Sequence, residues 1–62
     1  MKVGQRFYFN GKLFQIISYN ICQKNTIDCV CTATNETYWI LKETLPQNTK
    51  FYNRNEHPEY YL

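Results

Sequence analysis

Cys22, Cys29, Cys31 and His57 are the residues best suited to holding a metal or to nucleophilic chemistry. Together they would supply the Cys₃His donor set of a structural zinc site. Their spacing argues against one. Cys29-x-Cys31 puts both thiols on one face of a strand, whereas structural zinc draws its first pair from a C-x₂₋₄-C turn. The single histidine lies near the C-terminal end, between Glu56 and Pro58. Buried thiols acting as small hydrophobes are expected, with no metal and no cofactor. Asp28, Glu36, Glu43, Glu56 and Glu59 are scattered over turns and the tail. No acid–base pair or nucleophile–base pair is implied, so no catalytic residue and no enzyme activity is expected.

Binding chemistry has better material. Arg6, Tyr8, Lys12 and Leu13 fall on the first predicted hairpin, and Tyr38, Trp39 and Lys42 on the second. Aromatic and basic side chains on an exposed sheet can stack bases and meet phosphates. They can equally form a protein contact surface, because Tyr and Trp supply large stiff area with a polar tip. The protein reading is favoured, self-association by an exposed strand included, and nucleic acid is the runner-up. Six tyrosines in 62 residues exceed what one small core can absorb. For Tyr8 and Leu13 the plainer alternative is a cross-strand pair covered by the tail.

Composition narrows the classes. The formal charge is +2 and the pI about 8.5, with scattered basic residues. A dedicated nucleic-acid domain is usually more basic and more clustered. There is no apolar run of about 18 residues, so no membrane helix is expected. MKVGQRFYFN lacks the apolar stretch of a secretory signal, which with three cysteines points to a reducing cytoplasm. At this length, surface scaling buries about 61% of the unfolded surface, enough for one small core and no deep cleft.

Placing these residues needs an element order. Asn10-Gly11 lies between Phe7-Tyr8-Phe9 and Lys12-Leu13-Phe14-Gln15-Ile16-Ile17, the pattern of a two-residue type I′ hairpin. Its register sets Phe9 opposite Lys12, Tyr8 opposite Leu13 and Phe7 opposite Phe14. Phe7, Phe9, Phe14 and Ile16 then share the core face, with the Lys12 stem across it. Arg6, Tyr8, Leu13, Gln15 and Ile17 share the other. Residues 18–26 read as a loop or a twisted hairpin end. Thr26 to Thr34 reads as a strand with Ile27, Cys29, Cys31 and Ala33 on one side. Asn35-Glu36 is the next turn and Thr37 to Leu41 the next strand. A two-residue turn there sends Tyr38 and Ile40 to the cysteine face and Trp39 away from it; a three-residue loop reverses this. Lys42 to Leu45 fits one 3₁₀ turn before Pro46, and Lys50-Phe51-Tyr52 a short fifth strand.

That order describes an all-β, five-stranded antiparallel barrel. Val3-Gly4-Gln5-Arg6-Phe7, then Asn10-Gly11-Lys12-Leu13-Phe14-Gln15-Ile16, resembles the first hairpin of SH3-like barrels. Tudor-like domains and the KOW-type N-terminal barrels of translation factors share it. The resemblance implies one barrel domain over residues 1–62. The extended tail at 53–62, with Tyr60-Tyr61-Leu62, is too aromatic to be free chain and is expected to pack somewhere. It also implies a binding module, since SH3-like domains bind peptides or other chains through an aromatic groove. The Asn, Tyr, Ile and Lys usage is similar to that of AT-rich bacteria and their mobile elements, so a phage- or mobile-element-type inhibitor of a host protein is one expectation.

Overall fold

The first hairpin forms where the turn chemistry places it. In the computed structural model, which describes residues 2–20 and 25–62, β1 (Arg6–Phe9) pairs antiparallel with β2 (Lys12–Asn20). Phe9 stands opposite Lys12, Tyr8 opposite Leu13 and Phe7 opposite Phe14. Asn10 and Gly11 hold φ of 52° and 75°, the left-handed pair a type I′ turn requires. A Cβ added at Gly11 would meet nothing within 4 Å, so glycine serves the backbone angle alone.

β2 continues through Ser18 to Asn20, the hairpin-end alternative of the two readings for that stretch. The cause is a bulge between Ile16 and Ser18. The extra residue resets the alternation. Ile16 stands opposite Cys29, yet Ser18 stands opposite Asp28 and Tyr19 opposite Ile27. Strict alternation would have turned Ser18 into the core; instead its hydroxyl donates to Asp28 Oδ2 at 2.9 Å. Cys22 and Lys24 lie outside the described residues, and so does that part of the metal expectation.

β3 (Thr26–Cys31) is shorter than expected, ending at Cys31 rather than Thr34. The chain then turns through Thr32, Ala33 and Thr34, with Asn35 at φ 61°. The Asn35 N–H donates to the Cys31 carbonyl at 2.8 Å, and the Cys31 N–H to the Glu36 carbonyl at 2.9 Å. β4 (Thr37–Leu41) follows, with Tyr38 opposite Cys29 and Ile40 opposite Ile27. This decides the open orientation: Tyr38 and Ile40 take the cysteine side and Trp39 the other.

The core is one face of this sheet. Phe7, Phe14, Ile16, Ile27, Cys29, Cys31 and Ile40 are buried, with Phe9, Leu45 and Phe51 packed against them. The Phe7 ring lies 5.8 Å from Phe14 and 5.4 Å from Phe51. Each such burial contributes about 1.5–3 kcal/mol.

The expected five-stranded SH3-like barrel does not form. The strands make a single open sheet in the order β1-β2-β3-β4. Lys50-Phe51-Tyr52 supplies one bridge, between Arg6 and Tyr52, and no strand. Immediately beyond it the chain reverses, the His57 N–H donating to the Asn53 carbonyl at 2.8 Å. A single bridged residue cannot close a sheet, and among the described residues β4 keeps an unpaired edge. Where a barrel would complete its wall, residues 42–51 cross the core face. They begin with a 3₁₀ turn at Lys42–Thr44, and Leu45 and Phe51 cover the core.

The tail packs back onto the sheet, as its aromatic content leads one to expect. A second 3₁₀ turn, Pro58–Tyr61, sets Tyr60 against Tyr52, ring centroids 3.9 Å apart. The Tyr61 hydroxyl lies 2.8 Å from the Gly4 carbonyl, with the Tyr52 carbonyl also in reach. Among the described residues no helix is long and apolar enough to cross a membrane.

Candidate functional site

The seven side chains expected to form one binding surface occupy three places. Arg6 is half-buried and tied down. Its Nε donates to Gln15 Oε1 and its Nη1 to the Tyr60 carbonyl, both at 2.9 Å. The guanidinium also sits 4.6 Å from the Tyr61 ring centroid. It fastens the tail to β1, which removes it as the basic centre of a phosphate-binding patch. Tyr8 is 50% exposed and meets Tyr60 edge-on at 6.0 Å. Leu13, opposite Tyr8, is half-buried, and its carbonyl accepts from the Thr32 N–H and Oγ1, both at 3.0 Å.

Lys12 does not join Arg6 and Tyr8. It faces the mouth of the core, lining a cleft of about 210 Å³ with Phe9, Phe14, Tyr38, Trp39 and Ile40, so Lys12, Tyr38 and Trp39 of the expected set share this cleft. Tyr38 presents its edge to Phe14 at 5.6 Å. Lys42 stands apart again, beside Leu45, Pro46 and Phe51. Side-chain alternation sends Lys12 to the face opposite Tyr8 and Leu13, while Tyr38 and Trp39 at the β4 margin border both this cleft and the outer face.

What remains together is the outer sheet face. Trp39 is 66% exposed, Ile17 44% and Leu41 37%. Cross-strand register sets Trp39 opposite Asp28, Asp28 opposite Ser18 and Gln15 opposite the half-buried Val30. Ile17, Asp28, Thr37, Tyr38 and Trp39 line a notch on this face. Ile17 and Leu41 were missing from the expected surface. Ile17 already fell on this face by the alternation of the first hairpin, with Arg6, Tyr8, Leu13 and Gln15. Leu41 could have been found, because it shares Trp39's parity along β4.

The notch has a distinct character. Apolar and aromatic side chains surround one carboxylate, Asp28, which accepts from Ser18. Among the described residues no cation pairs with it; in the tail, His57 Nδ1 lies 3.5 Å from Glu59 Oε1. The surface thus offers stacking area beside a negative charge.

The thiols lie elsewhere. Cys29 and Cys31 are free and buried in the core. His57 instead packs against the Tyr52 ring at 5.2 Å. Among the described residues no three metal-ligating side chains converge. Burial, then the charges of Asp28 and Cys31, pushes the Cys29 thiol up from 9.0 to about 11. A hydrogen bond with Thr34, then the Ala33 backbone, lowers Cys31.

The Cys29 shift carries a stability consequence. Between pH 9.0 and about 11 the unfolded thiol has lost its proton while the folded one keeps it. Stability therefore falls as pH rises through that window, by up to roughly 3 kcal/mol, and is unaffected by this group below it. Urea unfolding at pH 8 and again at pH 10.5 should show the loss, with a flatter pH slope for Cys29→Val. Equal slopes for the two chains would refute the assignment.

No protein-family model, no curated protein and no solved structure matches this chain.

Proposed function

We propose that this chain is a non-catalytic protein-binding module whose contact surface is the outer sheet face around Trp39. The observation that carries the reading is the exposure of Trp39, 66%, on the same face as Ile17, Leu41 and Tyr8. The core occupies the opposite face, so these side chains are not needed to hold the sheet together. Exposed aromatic and aliphatic residues gathered on one face are characteristic of macromolecular contact sites. Asp28 beside Trp39 adds a chemical preference. A segment with apolar side chains and one Lys or Arg would satisfy the carboxylate and lay its cation on the indole. The mechanism is steric: a stiff sheet either recruits its partner or obstructs it.

The test is capture from a nuclease-treated lysate at physiological salt, comparing the native chain with Trp39→Ala. The native chain should retain a protein other than itself, and Trp39→Ala should lose at least tenfold of that retention. The variant's folding stability should change by about 1 kcal/mol or less, since the ring is mostly in solvent. Unaltered retention by Trp39→Ala would defeat the reading. Retention that disappears with nuclease, or declines steeply with salt, would transfer the function to nucleic acid.

A further inference from the structure

The two margins of the sheet are treated differently. On the β1 side, Arg6 uses both backbone groups on Tyr52: its N–H donates to the Tyr52 carbonyl at 3.1 Å, and its carbonyl accepts from Tyr52 at 2.8 Å. By the alternation of an antiparallel ladder, only Tyr8 of β1 still directs backbone groups to that margin. On the other side, nothing among the described residues pairs with β4. The Cys31–Glu36 and Asn25–Lys42 backbone bonds set its phase. Glu36, Tyr38, Ile40 and Lys42 point their backbone groups at β3. Thr37, Trp39 and Leu41 point theirs outward. Of these, the Leu41 carbonyl accepts from Thr44 Oγ1 at 2.6 Å.

This margin lacks the usual protections. It contains no proline, glycine, bulge or charge within Thr37-Tyr38-Trp39-Ile40-Leu41, a β-prone run. Its charges flank it instead, Glu36 before and Lys42 after, both exposed. That arrangement is complementary to itself. When the strand is laid antiparallel on a second copy with Trp39 opposite Trp39, Thr37 meets Leu41 and Tyr38 meets Ile40. Glu36 then meets Lys42 at both ends. Residues with outward backbone groups face one another throughout, so about six ladder hydrogen bonds form. Sliding the register by two residues in either direction keeps outward groups facing one another but leaves two facing pairs in place of three and separates both charge pairs. Within one chain, Glu36 and Lys42 are about 20 Å apart along the strand and cannot pair.

We propose that β4 pairs antiparallel with β4 of a second copy of this chain, centred on Trp39 and keyed by Glu36 against Lys42 at both ends. The proposal rests on the reading of the chain as a protein-binding module and names its first partner. It joins two sheets into one eight-stranded sheet with a two-fold axis, and brings two indoles together on the outer face.

Sedimentation equilibrium from about 1 µM to 1 mM tests it. The native chain should sediment as a reversible dimer. Glu36→Lys or Lys42→Glu alone turns two attractive pairs into two repulsive ones and should weaken dimerisation about tenfold, with circular dichroism unchanged. The double swap, Glu36→Lys with Lys42→Glu, should return affinity to within about threefold of native, because each charge again meets its opposite. A native chain monomeric to 1 mM overturns the proposal, and so does a dimer indifferent to both reversals or not restored by the swap. A monomer that still captures its lysate partner removes self-pairing alone. A charge-keyed dimer that captures nothing upholds self-pairing and removes only the wider reading.

Discussion

Phe7→Ala is expected to cost about 3–5 kcal/mol, leaving much of the population unfolded at 25 °C. A chain of 62 residues has only about 3–9 kcal/mol of stability to lose. Phe7 is 0% exposed and joins two parts of the core. One side of its ring meets Phe14 across the first hairpin, and it also meets Phe51 from the covering segment. Truncation therefore leaves a cavity exactly where the sheet is held to its cover, and no neighbouring element can collapse into it without breaking the register of β1. Phe9, only half-buried on the same strand face, is the control, and Phe9→Ala should cost about 1 kcal/mol. Urea denaturation measures both. A Phe7→Ala loss under about 1 kcal/mol would mean that the assigned core does not hold the fold together.

Arg6→Ala should release the tail, at about 2–3 kcal/mol. The guanidinium bonds Gln15 and the Tyr60 carbonyl and lies over Tyr61. Each charged hydrogen bond is worth roughly 1.5–3 kcal/mol when its partner stays desolvated, and the ring contact about 0.5–1 kcal/mol. These contributions overlap because they share one side chain, so they do not add in full. Arg6→Lys should rescue little, since an ammonium cannot reproduce the fork that reaches both acceptors. Amide exchange at Tyr52 should accelerate in Arg6→Ala, since the tail clamps that bridge, while exchange at Phe14 stays slow. Unchanged protection at Tyr52, with a loss below about 0.5 kcal/mol, would assign the arginine to solvent.

The first hairpin was fully legible in the residues. Asn10-Gly11 admits few geometries, and one turn type determines the pairing of Phe7, Phe9, Phe14 and Lys12. The cysteine face of β3 was legible too, since Ile27, Cys29 and Cys31 fall at every second position, with Asp28 and Val30 between them. Closure was not. A barrel depends on how many residues the last strand contributes, and Lys50-Phe51-Tyr52 carries strand-like composition whether it pairs along its length or at one position. The bulge beside Ile17 is similarly silent, because the polar Ser18 and apolar Tyr19 suit a loop as well as a reset alternation. The candidate surface suffered from both. Arg6, Tyr8 and Lys12 are near one another along the hairpin, but the strand sends Lys12 to the other side. Trp39 was visible as a candidate, but its orientation depended on a connection, Thr32–Glu36, whose length the residues left open.

The single bridge between Arg6 and Tyr52 limits how far assembly can proceed. A module with two vacant flanks would add copies without end, as fibrils do. Here one flank is occupied at Arg6 by the chain's own return, leaving only Tyr8 outward there, so the proposed joining of two β4 strands would leave no second full edge and growth would halt at a pair.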